Sequence, residues 1–227
     1  MVDQKSYEQV NLCFSGEQLE KLRLLAGGNS VTIQDALTAY IILILNKYCY
    51  KNTDERHILR TNTSVNVRGV SDAIASTGQI GNAVMMMLSE NFEDSLSLSN
   101  IAKTIRCSII KSRDSKYLER WLATADDAMR KMIQNNLIAD LGFVSNEIIV
   151  NSNLRYDWAN LVDFGYTNQC RFYTGWSGSF YLRVFRLNPI YNGHEWLPRD
   201  QNGAEVVFRI EKEFKDIFLN AIERSLL

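Results

Sequence analysis

The sequence is short of histidine. Only His57 and His194 occur in 227 residues, and neither has a carboxylate or nucleophile at a spacing that makes a catalytic pair, so each reads as an exposed loop histidine. Cysteine is nearly as sparse. Cys13, Cys49, Cys107 and Cys170 stand far apart, with no Cys-x-x-Cys and no histidine in ligand spacing. That excludes a recognisable zinc site and points to free, mostly buried thiols in a reducing, cytosolic setting. No charge of one sign dominates either: Lys and Arg number 25 against 26 Asp and Glu, so no global field draws the chain to nucleic acid or an anionic membrane. An anionic ligand has to be held locally. The longest apolar run, residues 39–45, is too short to cross a bilayer, and the first ten residues lack the apolar segment of a secretory leader. Nucleophile-elbow, phosphate-loop, dinucleotide and metal-ligand motifs are missing. Taken alone, the chain has no convincing catalytic centre.

What is present reads as a folded domain over residues 1–227, because 46% hydrophobic residues are enough to bury a substantial core. Residues 10–14 suit a short strand, and Ser15 caps a helix over 16–26 with Leu19, Leu22, Leu25 and Ala26 on one face. Thr32 and Asp35 form a capping box that opens a helix running to about Tyr50, its apolar positions including Tyr40, Ile41, Ile44 and Tyr48. Residues 58–67 alternate at strand period and 84–88, VMMML, make a second strand. Residues 94–112 start polar and become helical around Leu98, and a second helix is predicted over 115–134 with Leu118, Trp121, Leu122, Ala125, Met129 and Met132 on one side. The methionines read as core filler. Strands over 169–174, 180–187 and 205–210 and a last helix over 210–227 complete an α/β chain: a mixed sheet covered by helices.

Residues 148–168 begin as an apolar strand and turn polar and aromatic. Within them Asp163-Phe164-Gly165 reads as a rigid turn, the carboxylate accepting local amides and the glycine taking a positive φ. Ser152 and Asn153 follow the strand end and could place a hydroxyl and an amide against a developing oxyanion, although turn capping is the simpler reading. The segment from Gly27 through Ser30 to Thr32 could present free N–H groups to a phosphate, again with plain helix capping as the simpler reading.

The order of these motifs resembles the C-terminal half of the BAHD family of acyl-CoA-dependent acyltransferases. That family carries a helix opening Ser/Thr-x-x-Asp/Glu-Ala-Leu, matched by Thr32-Ile33-Gln34-Asp35-Ala36-Leu37. A strand ending in arginine is matched by Val65-Asn66-Val67-Arg68, and Gly-Asn-Ala by Gly81-Asn82-Ala83. The family's DFGWG motif is matched through Asp163-Phe164-Gly165, after which Tyr166-Thr167 depart from it. The resemblance spans residues 10–223 and implies a divergent member: one lobe of the two-lobed chloramphenicol acetyltransferase-like fold. It further implies acyl-CoA as co-substrate, an alcohol or amine acceptor and no metal.

The family's base is the histidine of an HxxxD motif on the N-terminal lobe, and that motif is absent here, since Thr61 and Pro198 stand four residues after the two histidines. The expectation is a C-terminal lobe that contributes coenzyme A contacts and a channel wall, inactive alone and partnered by the missing lobe. On this reading Ser152 and Asn153 face the channel, Ser30 and Thr32 are candidates for a coenzyme A phosphate, and Arg68, Asn82, Asp163, Phe164 and Gly165 are structural. An isolated lobe would expose the surface its partner covers, so self-association is expected. The alternative is a non-catalytic binding module that keeps the same half-fold.

Overall fold

The structure, a computed structural model, describes residues 7–138, 144–161, 165, 169–173 and 178–226. Buried Val10, Leu12 and Phe14 alternate with exposed Gln9, Asn11 and Cys13, which makes Tyr7–Phe14 a strand, β1. Ser15 then starts α1, Gly16–Ala26, through a complete capping box: its hydroxyl accepts from the Gln18 N–H, and the Gln18 side chain accepts from the Ser15 N–H at 2.8 Å. Gly27, at φ 143°, ends the helix where a side chain would be strained. The second capping box, Thr32 with Asp35, starts α2, Ile33–Ile44, which continues as one wider π turn over Leu45–Cys49. Every residue of α2 from Asp35 to Ile44 except Leu43 is buried, so this helix is the centre of the core.

The remaining strands are β2 (Arg60–Asn66), β3 (Val84–Leu88), β4 (Glu147–Ser152), β5 (Tyr181–Arg186) and β8 (Ala204–Glu211), with a small hairpin of β6 (Ile190–Tyr191) and β7 (Trp196–Leu197). They form a six-stranded sheet in the order β1-β8-β5-β4-β2-β3. β2, β4 and β5 run parallel, and the other pairings are antiparallel, so the sheet is mixed. Helices α3 (Leu98–Ser112), α4 (Ser115–Gln134), the single turn α5 (Trp158–Leu161) and α6 (Lys212–Leu226) complete the chain. The core gathers α1, α2, α3 and α6 on one sheet face: Leu19, Ile41, Ile101 and Phe218 pack with Phe14, Ile148, Leu182, Val184 and Phe208. The fold class is the expected one.

Several local expectations are corrected. His57 is buried, not exposed, because its Nδ1 meets the Tyr50 carbonyl at 3.1 Å and its Nε2 the Ser95 hydroxyl at 2.7 Å, pinning the loop after the π turn. Of the four free cysteines only Cys49 is buried. Leu25 and Tyr48 face outward: α1 is packed through a narrower stripe than periodicity alone implies, and Tyr48 stands in the π turn beyond the fully packed α2. Residues 169–173 are not a strand. They are tied instead by Asn188, whose side chain bonds both the N–H and the carbonyl of Phe172. The methionines are only partly core: Met87 is buried, whereas Met86 and Met129 are exposed.

At the base of the sheet the Tyr50 hydroxyl donates to buried Glu211 at 2.7 Å, and Arg56 lies over the Tyr50 and Phe214 rings while bonding Asp54 at 2.7 Å. The Arg56 side-chain hydrogen bond holds the Asp54 carboxyl at about 2 against an ordinary 3.8. A depressed folded value means that this pair stabilises fully above the ordinary value and is lost as pH falls towards 2. Denaturant titrations should therefore show Arg56→Ala narrowing the gap in stability between neutral and pH 2 by about 1 kcal/mol, a figure reduced for solvent screening.

Candidate functional site

The carboxyl ends of parallel strands β2, β4 and β5 share one edge of the sheet, which is where open α/β sheets place ligands. Ser152 is the last residue of β4. Its hydroxyl donates to Gln34 Oε1 at 2.6 Å and accepts from the Leu154 N–H at 3.3 Å. Gln34 in turn donates to the Thr38 hydroxyl at 2.9 Å. The second residue of α2 therefore orients the hydroxyl at the end of β4. Asn153 is half-buried; its N–H donates to the Val184 carbonyl at 2.7 Å and its own carbonyl accepts from Tyr156, which fixes the turn.

Beside this turn lies a cleft of about 440 Å³, lined by Gly16, Glu20, Ile33, Leu154, Arg186 and Gln201 among others. Gly203 also lines it, and a Cβ there would fall 2.8 Å from the Phe14 carbonyl oxygen, so only glycine lets the chain pass. Arg186 ends β5. Its guanidinium donates to the Leu154 and Gln201 carbonyls at 3.3 Å each and stands 3.7 Å from Asp157. Burial raises the Asp157 carboxyl, but the Arg199 hydrogen bond at 2.8 Å and the charges of Arg199 and Arg186 outweigh it, leaving the group below its ordinary value. Both helix N-termini at the cleft carry a carboxylate of the chain itself: Asp200 accepts from the Gly16 N–H at 2.7 Å, and Asp35 caps α2.

Of the residues singled out from sequence, Ser152 meets the start of α2 through Gln34 and Asn153 follows it in the turn, while the cleft itself is lined by their neighbour Leu154 rather than by either. Thr32 is the N-cap of α2, and its N–H and hydroxyl both donate to Asp35 Oδ2, at 2.8 and 2.7 Å. Ser30 is exposed on the loop before α2, its hydroxyl donating to the Gly27 carbonyl. Arg23 bonds the same loop through Gly28 and Asn29, and Lys103 reaches it, its Cε 3.6 Å from where a Gly27 side chain would begin. Arg68 serves the β2–β3 connection, donating to the carbonyls of Gln79 and Gly81, and Asn82 is exposed just before β3. Gly165 has the positive φ expected of it, 92°, while Asp163 and Phe164 lie outside the described residues. Gln34 and Arg186 were not picked out from sequence. The one is an unspecified position of the capping box and the other a strand-ending cation, and only that second feature hints at a site. Among the described residues no group of three His, Cys, Asp or Glu is placed to hold a metal, and no helix is long and apolar enough to cross a membrane.

The six-stranded mixed sheet with helices packed on one face is shared with solved acyltransferase structures of BAHD-like fold. Among solved structures the chain is similar to vinorine synthase, with 16% identity and a TM-score of 0.62 over 96% of this chain and 47% of that one. It is also similar to F. sporotrichioides TRI101 complexed with coenzyme A and T-2, at 14% identity and a TM-score of 0.67 over 97% of this chain and 50% of that one. F. graminearum TRI101 complexed with ethyl coenzyme A matches at 15% identity and a TM-score of 0.58 over 96% and 48%. The chain thus spans about half the length of these structures. No protein-family model and no curated protein matches the sequence.

Proposed function

We propose that this chain is the C-terminal lobe of a transferase that moves an acyl group from acyl-CoA to an alcohol or amine, and that its cleft forms one wall of the reaction channel. The observation that carries this is the convergence of Ser152, Gln34 and Arg186 at the carboxyl ends of the parallel strands, in a half-fold shared with proteins crystallised with coenzyme A. In the complete enzyme a histidine on the companion lobe deprotonates the acceptor, which attacks the thioester carbonyl; the C–S bond breaks and the thiol of coenzyme A leaves. Ser152 and Asn153 are assigned to the side where the oxyanion develops. For Ser152 to donate there its proton must leave Gln34, so the Gln34 amide sets how readily the hydroxyl turns to the substrate.

The phosphates of coenzyme A are assigned to cations outside the helix N-termini, because Asp35 and Asp200 already occupy those. Ser30 with Arg23 and Lys103 is the first candidate and Arg186 the second; Thr32 contributes by shaping the start of α2. Calorimetric titration with coenzyme A tests this. Binding should be measurable, and Arg186→Ala should weaken it about tenfold, the worth of one charge-assisted contact. Binding that is absent, or indifferent to Arg186→Ala, removes the cleft from the reading, and indifference to Lys103→Ala removes the Ser30 loop.

A further inference from the structure

The two edges of the sheet are defended unequally. β1 carries polar Gln9 and Asn11 outward, and Glu8 pairs with Lys215 at 2.8 Å. β3 has no such guard. Residues 73–89 contain no charged side chain and no proline, and Val84, Met86 and Leu88 are 45%, 40% and 51% exposed. Charge, proline or a bulge is what normally keeps an edge from pairing with another chain.

The register fixes what this edge offers. Ser89 donates to the Thr61 carbonyl and Val67 donates to the Ala83 carbonyl, with Met87 opposite Thr63 and Met85 opposite Val65. Residues 83, 85, 87 and 89 therefore turn their backbone groups towards β2, and Val84, Met86 and Leu88 turn theirs outward. No described residue takes those groups. Antiparallel pairing with a second β3 about a two-fold axis at Met86 would set Val84 against Leu88 of the other copy and Met86 against Met86, each pair exchanging two hydrogen bonds. A shift by one residue would bring inward-facing groups to the seam, and a shift by two would lose a pair. Because the segment is neutral, a copy of itself meets no like charge.

A five-residue edge covers less than the roughly 800 Å² per partner of a stable interface. Helix α4 offers further exposed apolar surface beside it. It is anchored through buried Leu118 in a cluster with Met87, and it runs on for about 30 Å with Trp121, Met129 and Ile133 exposed. We infer that the β3 edge, flanked by the apolar stripe of α4, is a self-docking surface through which two copies of this chain join their sheets. This inference does not rest on the acyl-transfer reading, and coenzyme A binding is measured separately.

Sedimentation equilibrium of the full chain should show a monomer–dimer equilibrium with a dissociation constant on the order of 10 μM. Hydrogen exchange at the Val84, Met86 and Leu88 amides should slow as concentration rises, while Met85 and Met87 stay unchanged. Met86→Lys, which sets two ammonium groups face to face, should weaken the dimer at least about tenfold with an unaltered circular dichroism spectrum. If that variant fails to fold, the exchange pattern of the unaltered chain still decides. A monomer at every concentration, a dimer indifferent to Met86→Lys in the folded state, or edge protection gained only when a companion lobe is added overturns the inference.

Discussion

Asp35→Ala should cost about 3 kcal/mol of folding stability, lowering the melting temperature by about 6–12 °C. The carboxylate is 3% exposed, and its Oδ2 alone accepts from the Thr32 N–H, the Thr32 hydroxyl and the Arg106 guanidinium, the last at 3.4 Å. Truncation leaves two donors unpaired at the first turn of the most buried helix and strands a partly buried cation. Loss of an ordinary cap accounts for about 1 kcal/mol of the figure, and the unpaired donors for most of the rest. Asp35→Asn keeps an acceptor for Thr32 and should lose about half as much. The effect reaches the cleft, because Ile33 and Gln34 are set by the same turn, so the Ser152 hydroxyl loses its fixed partner. Chemical denaturation of the two variants is the check, and a loss below about 1 kcal/mol for Asp35→Ala would mean that packing, rather than the cap, fixes the start of α2.

The largest functional effect should come from supplying a histidine. The proposed reading assigns the base to neither histidine of the chain: His57 is buried against Tyr50 and Ser95, and exposed His194 stands in the β6–β7 turn after Gly193. The chain incubated with acetyl-CoA and a panel of alcohols should give no turnover above background. Addition of the lobe bearing HxxxD should raise the rate by more than about a hundredfold, the usual contribution of a positioned general base. Robust turnover by the chain alone would sink the division of labour. An inert mixture of two folded lobes that bind each other would favour a binding module.

The parts of the fold written in short-range chemistry were legible. Both capping boxes lie within four residues of sequence, and α1 and α4 begin and end where Ser15, Gly27, Asp114 and Asn135 allow. What failed depends on what packs against what. The period of α4 revealed an apolar stripe but not that Leu118 alone would be fully buried, and the loop around His57 reads as polar until Ser95 is known to reach it. The cleft is the extreme case. Ser152 and Gln34 are 118 residues apart, and Arg186 meets Leu154 only because β4 and β5 are neighbours. Of the first pair only Ser152 stood out in the sequence, and of the second neither residue did; the topology supplied the rest.

The most direct test of the central reading is to map coenzyme A onto the chain by amide chemical-shift perturbation. The account predicts that the largest shifts fall on residues 152–154, on Arg186 and on Gly28 to Ser30, with little change in the groove between Tyr48 and Arg224, which lies past the C-terminal end of α2. Shifts centred on that groove, or on α4, would contradict it.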